Sequence, residues 1–227
     1  MKAIVLCGGL GTRLGALTHE TPKPLLEVAG RPFITHVLDH LAASGTTEIV
    51  LAVSFQWQKL RDALGASWQG LTLHYSVESE PLGTGGAVRH AMNQVGWFDA
   101  IVANGDTLLK MNPQLLSDAA TQHSADVVLA LKRVDDASRY GRVRIEADSR
   151  VVAFEEKGQS GEGLINAGLY WMRAKVLDKA PDEVFSLERD LMAEYVTELA
   201  MYGVETPGYF VDMGIPEDLE RARRELS

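Results

Sequence analysis

The strongest constraint in the sequence lies at its start, where a short apolar run over residues 2–7 stops at Gly8-Gly9-Leu10-Gly11-Thr12-Arg13. A buried strand that feeds a glycine-rich loop has this form. Glycines let backbone N–H groups approach phosphate oxygens closely, although the same residues also suit a tight strand-to-helix turn. Two common phosphate motifs do not fit. The dinucleotide fingerprint needs Gly or Ala where Leu14 stands, and no Gly-Lys-Ser/Thr follows at P-loop spacing.

Beyond the loop, Phe33, Val37, Leu38 and Leu41 recur at helical spacing over residues 32–44, and Gly45 is a natural stop. Residues 47–53 and 71–77 read as strands, 57–64 and 84–95 as helices, and 100–103 as a strand ending at Asn104-Gly105-Asp106. This alternation predicts a mostly parallel sheet with helices on both faces. The later half reads as a helix over 113–122 and a strand over 126–131. Strands follow in succession at 142–146, 151–155 and 164–172, which predicts antiparallel pairing among them. Ser186 opens a helix over 186–199, with Arg189 where a capping box would place Glu. A short strand at 209–212 precedes a terminal helix opened by Pro216. The expected fold is α/β: a Rossmann-like mixed, mostly parallel sheet flanked by helices, with antiparallel additions in the C-terminal half. No linker, low-complexity tract or repeat divides the chain, so one domain is expected over residues 1–227.

Composition narrows the partners. The 227 residues are 46% hydrophobic and 23% charged, enough for a substantial core. A net charge of -9 without a dense Lys/Arg stripe argues against a nucleic-acid partner. No stretch is long enough to span a bilayer, and the apolar start is too brief for a signal peptide, so no membrane partner is expected. Lone Cys7 suits a reducing compartment, making cytoplasm the expected location. A homo-oligomer is compatible with the sequence, which does not specify assembly.

The string Gly8-Gly9-Leu10-Gly11-Thr12-Arg13-Leu14, followed by Leu17-Thr18 and Pro22-Lys23-Pro24, resembles the signature of the sugar-1-phosphate nucleotidyltransferases, or nucleotide-sugar pyrophosphorylases. The resemblance continues in order through Gly83-Thr84-Gly85-Gly86-Ala87, Asn104-Gly105-Asp106, Glu155-Glu156-Lys157, Asn166-Ala167-Gly168-Leu169-Tyr170 and Tyr209-Phe210-Val211-Asp212-Met213-Gly214. Ala16 departs from the proline that many members carry before Leu-Thr. Glu80-Pro81-Leu82-Gly83, Arg139-Tyr140-Gly141 and Phe154-Glu155-Glu156-Lys157 are most similar to the short guanylyltransferases acting on D-glycero-D-manno-heptose 1-phosphate.

This resemblance implies a nucleotidyltransferase fold, with a nucleotide-binding half at about 1–110 and a sugar-phosphate-binding half at about 111–227. It implies an enzyme that joins a sugar 1-phosphate to the α-phosphorus of a nucleoside triphosphate, GTP being favoured, and expels pyrophosphate. An ionised sugar phosphate needs no general base, so the task is charge neutralisation and in-line positioning. By the resemblance Arg13 steadies the β/γ-phosphates and Lys23 reaches the α-phosphate or sugar phosphate. Leu6, Gly8, Gly9, Gly11, Thr12, Leu82, Gly83, Thr84 and Asn104 complete the nucleotide set. The segment 83–87 offers free backbone donors to base or phosphate at a helix start. Tyr140, Gly141, Glu156, Lys157 and Asn166 match positions that contact the sugar or its phosphate. Asp106 and Asp212, each ending a strand, are the expected ligands of Mg²⁺, although either residue alone also suits a turn or cap.

His36 and His40 share a helical face at metal-binding spacing but lack a third ligand, and Cys7 reads as a small packed residue. The four tryptophans are too scattered for a stacking platform. Competing functions are a uridylyl- or other nucleotidyltransferase on a hexose or amino-sugar 1-phosphate, and a non-catalytic nucleotide-sugar-binding regulatory subunit. A dinucleotide-dependent oxidoreductase is disfavoured by Leu14.

Overall fold

The computed structural model describes residues 1–9, 15, 21–180 and 182–226. The chain opens with β1 (Lys2–Leu6), and a short hairpin of β2 (Glu27–Val28) and β3 (Arg31–Pro32) leads into α1 (Phe33–Ala43). Then come β4 (Glu48–Val53), α2 (Trp57–Leu64), β5 (Ser67–Trp68), β6 (Leu71–Val77), α3 (Gly83–Val95) and β7 (Asp99–Asn104). The second half runs through β8 (Thr107–Leu109), α4 (Gln114–His123), β9 (Val127–Val134), β10 (Val143–Ile145), β11 (Val151–Phe154) and β12 (Gly163–Arg173). It ends with β13 (Met201–Glu205), β14 (Phe210–Asp212) and α5 (Pro216–Glu225).

Among the described residues the main sheet has eight strands, in the order β13-β9-β12-β7-β1-β4-β6-β5. The links β7-β1, β1-β4, β4-β6 and β13-β9 are parallel. Strand β12 is antiparallel to both β9 and β7, and β5 is antiparallel to β6. The mixed, mostly parallel sheet expected from the sequence is thus present. Near-continuous burial of β1, β4 and β7 reflects helices on both faces. Residues such as Val5, Phe33 and Leu51 pack on one face, and Ile4, Val50 and Val88 on the other. No helix among the described residues is long and apolar enough to cross a membrane.

Three expectations change. β10 and β11 pair as predicted, but β12 leaves them and inserts between β7 and β9. The helix expected over 186–199 is a π-helix, Leu187–Ala193, followed by turns. Ser186 Oγ accepts from Arg189 N at 3.2 Å, as an N-cap should. The reciprocal acceptor is Asp190, which takes the Ser186 amide at 2.8 Å one residue later than a capping box requires, matching a wider turn. β13, beside β9, was not anticipated because its five residues include Gly203, and β8 was hidden behind the Asn-Gly-Asp turn.

Candidate active site

The carboxyl ends of β1, β4, β6 and β7 define one edge of the sheet, where open α/β folds bind ligands. A cavity of about 680 Å³ lies there, lined by residues that include Leu6, Gly8, Gly9, Glu78, Gly83 and Thr84. Gly9 has φ +134°, a conformation that favours glycine, and nothing among the described residues stands within 4 Å of where its Cβ would be. Gly11, Thr12 and Arg13 lie outside the described residues. Leu82 and Asn104 do not line the cavity. Leu82 closes a turn through its amide, and the Asn104 side chain packs against Gly168 of β12.

The start of α3 differs from expectation. The amides of Gly85 and Gly86 donate to Phe185 O at 2.9 and 3.4 Å, so these donors are already used. Thr84 Oγ1 accepts from Leu187 N at 2.9 Å. A Cβ on Gly85 would come within 2.1 Å of the Phe185 ring, and one on Gly86 within 2.5 Å of Glu183 O. These two glycines serve the close approach of residues 182–187 rather than a phosphate.

Asp106 sits in the two-residue turn, Gly105-Asp106, that joins β7 to β8. Gly105 N donates to Leu6 O at 2.9 Å, and a Cβ there would meet that oxygen at 2.7 Å, so Asn-Gly-Asp allows the turn to press onto β1. β14 pairs with β8 so that Asp212 faces Thr107, and Met213 N donates to Asp106 O at 2.9 Å. The two aspartates expected to act together are therefore held side by side. Lys23, on a single 3₁₀ turn (Lys23–Leu25), forms an ion pair with Asp106 Oδ2, and both residues are half-buried.

The electrostatics follow from this crowding. Burial first, then the Asp106 charge, raises the Asp212 pKa, while Lys23 and the Gly214 amide act in the opposite direction. Gly214 N donates to Asp212 Oδ1 at 2.7 Å, fixing the carboxylate. Two carboxylates facing one ammonium leave excess negative charge, a hard-oxygen donor set that suits a divalent cation completed by phosphate and water. Among the described residues no group of three or more His, Cys, Asp or Glu is gathered, so those two carboxylates are the protein donors on offer. Cys7 is buried beneath this site. Burial and then Asp106 push its thiol far up, so it is a packed apolar group and not a nucleophile.

The Tyr140-Gly141 segment joins this centre to the later half. The Tyr140 ring meets Phe210 of β14 edge-on at 5.7 Å, and Arg139 pairs with Asp218 of α5 at 2.6 Å. Gly141 has φ +78°, and its Cβ would lie 2.5 Å from Glu155 O, which brings the turn carrying Glu156 and Lys157 alongside. Both side chains of that turn are exposed. Asn166 Nδ2 donates to Tyr170 OH at 2.7 Å and to Glu188 Oε1 at 2.8 Å. The histidines of α1 are structural: His36 reaches Val28 O at 3.0 Å, and His40 reaches Met111 O at 2.7 Å.

The chain matches the model of the Nucleotidyl transferase family over residues 2–227. It belongs to that family. This family member is 36% identical over 227 residues to the D-glycero-alpha-D-manno-heptose 1-phosphate guanylyltransferase of Aneurinibacillus thermoaerophilus, covering 100% of this chain and 98% of that one. It is 38% identical to the mannose-1-phosphate guanylyltransferase of Mycobacterium tuberculosis, covering 100% of this chain and 64% of that one. It also superimposes on the crystal structure of HddC from Yersinia pseudotuberculosis complexed with GMP-PN. The TM-score is 0.87 at 31% identity, with coverage of 100% and 99%.

Sequence reasoning missed several side chains of this nucleotidyltransferase. Ser54, Phe55 and Trp57 line the cavity, so one scattered tryptophan does stand at the site. Glu78, at the end of β6, accepts from Leu82 N at 3.0 Å through Oε2, while Oε1 lies beside Gly8 and Ser54. Its place one residue past a central strand, ahead of Glu80-Pro81-Leu82-Gly83, was the available signal.

Proposed function

We propose that this enzyme transfers GMP from GTP to the 1-phosphate of D-glycero-D-manno-heptose and releases pyrophosphate, supplying a nucleotide sugar in the cytoplasm. The observation that carries the reading is the gathering of Lys23, Asp106 and Asp212 beside the cavity edge formed by Leu6, Gly8 and Gly9. The sugar phosphate oxygen attacks the α-phosphorus, and the bond to the β-phosphate oxygen breaks. Lys23 offsets phosphate charge where the two anions meet, and Arg13 and Lys157 are assigned to the triphosphate and the sugar phosphate. Asp106 and Asp212 would hold Mg²⁺, which supplies charge neutralisation at the phosphates when bound.

Glu78 supports guanine. A carboxylate only accepts hydrogen bonds, and the Watson–Crick edge of guanine presents two adjacent donors, N1–H and the 2-amino group. Uracil offers one donor between two carbonyls, and adenine pairs a donor with an acceptor, so neither matches a carboxylate. The two relatives named for guanylyl transfer also share the manno configuration of the sugar in their names, which supports a manno-configured ring here.

The test is a matrix of four triphosphates against heptose, mannose, glucose and N-acetylglucosamine 1-phosphates, scored by pyrophosphate release with Mg²⁺. GTP with a manno-configured 1-phosphate should dominate, and Asp106→Asn or Asp212→Asn should lower kcat by about 10²-fold or more. Glu78→Gln should lower kcat/KM for GTP by roughly 10–100-fold and narrow its advantage over ATP. No turnover with any pair would sink the enzymatic reading, and preference for another base would sink the role of Glu78.

A further inference from the structure

Glu188 occupies the first turn of the π-helix Leu187–Ala193, at the junction of the two halves. The preceding residues are tied to the nucleotide side through Thr84 Oγ1, which accepts from Leu187 N, and through Phe185 O, which accepts from Gly85 N. From that anchor the Glu188 side chain crosses to β12. Oε1 accepts from Asn166 Nδ2 at 2.8 Å and from Tyr170 OH at 2.6 Å. The carboxamide is itself oriented, since Asn166 Oδ1 accepts from Gly168 N at 3.0 Å. Tyr170 is fully buried, so its hydroxyl is a fixed post.

This arrangement stands at the catalytic edge. β12 runs antiparallel to β7 with Leu169 opposite Ala103, so Asn166, three residues earlier, extends past the end of β7 on the side of Asp106. Glu188 is exposed there, and its Oε2 has no hydrogen bond among the described residues. It also lacks a cationic partner among them, unlike its neighbour Asp190, which pairs with Arg189 at 2.6 Å, or Asp218, which pairs with Arg139. An uncompensated carboxylate repels phosphate and accepts hydrogen bonds only. What it suits at this edge is the uncharged, donor-rich part of a sugar, its ring hydroxyls.

We propose that Glu188 determines sugar specificity: Oε2 accepts a hydrogen bond from a ring hydroxyl of the sugar 1-phosphate, while Asn166 and Tyr170 hold Oε1. The proposal rests on the nucleotidyltransferase reading above and deepens its sugar site. Glu188→Gln and Tyr170→Phe in the full chain test it, with mannose 1-phosphate, its 2-, 3- and 4-deoxy analogues, and GTP. Glu188→Gln should raise KM for mannose 1-phosphate by roughly 10–100-fold and change KM for GTP less than about twofold. Wild type and variant should converge on one deoxy analogue, the one lacking the hydroxyl that Glu188 reads. Tyr170→Phe, which removes one of the two donors to Oε1 but keeps the carboxylate, should lower Tm and raise KM for mannose 1-phosphate less than Glu188→Gln does.

An unchanged KM for the sugar phosphate in Glu188→Gln would overturn the proposal, as would equal losses for GTP and every analogue. Calorimetric titration of mannose 1-phosphate into both proteins gives a readout independent of turnover. Binding weakened about 10-fold or more in the variant supports the proposal even without pyrophosphate release, while equal or absent binding refutes it. Turnover by wild type with an unaffected variant removes Glu188 alone and leaves the enzymatic reading standing.

Discussion

Glu78 shows how one side chain serves two opposed demands. Burial at the cavity edge holds its carboxyl above the ordinary carboxylate range, while the Leu82 amide and His90 favour ionisation. Reading two donor groups on a base requires the ionised form. The folded protein binds this proton more tightly than the unfolded chain does. The associated stability is therefore fully present below the unfolded pKa and is lost as pH rises through the raised folded value. Glu78→Gln removes that loss and keeps an acceptor for the Leu82 amide. In melting curves from pH 4 to pH 7, the variant should match the native protein at the acid end and melt higher at neutral pH. A variant that melts lower at pH 7 would contradict this sign. The residue proposed to select the base is thus expected to cost stability under working conditions.

At the scale of elements, the junction between α3 and residues 182–187 ties together stretches a hundred residues apart in sequence. The Phe185 ring fills the space left by Gly85, and Arg89 lies over it at 4.8 Å. Gly85→Ala should destabilise by about 1–3 kcal/mol through overpacking, and Phe185→Ala by about 3–5 kcal/mol through the lost ring. Because the added methyl would occupy the space of the lost ring, the double variant should be more stable than the sum of the two losses predicts. Denaturant titration of the four proteins measures that coupling, and strict additivity would show that the two residues do not compete for one space. Parts of this region were legible in the sequence and parts were not. Apolar runs ending in glycine disclosed β1 and its neighbours because local patterning and tertiary environment agree there. The glycines of α3 were open to two meanings, since only the chain a hundred residues later reveals what approaches them. Glu78 and Glu188 were silent for the same reason: a carboxylate at an element end has no local mark separating a solvated group from one held by distant partners. Arg13, Gly11 and Thr12 lie outside the described residues, and their roles stay with the proposal.

For the whole molecule, a net charge of -9 is set against substrates that are themselves anionic. Affinity must then come from local cations, and from the metal proposed at Asp106 and Asp212, not from the general field. GTP with Mg²⁺ at about 100 times its Kd should stabilise the fold by about 2.7 kcal/mol. For a chain of this size that raises Tm by roughly 5–10 °C. Chelating the metal should remove most of the shift, and ATP with Mg²⁺ should give a smaller one. Equal shifts with and without chelator in a thermal melt would count against a metal held by Asp106 and Asp212.

The pairing of β8 with β14 has a further consequence, for how the protein is made. Thr107 and Asp212 lie opposite each other although more than 100 residues separate them in sequence. Contacts of such long range carry a large loop-closure cost and tend to form late. A chain emerging from the ribosome can assemble β1, β4, β6 and β7 well before β14 exists, as N-terminal parts commonly fold first. The cavity at the sheet edge, lined from residues 6–87, can therefore take shape on a nascent chain that still lacks Asp212. Under the role proposed for Asp212, transfer would begin only once β14 has docked, so a half-built chain would not spend triphosphate.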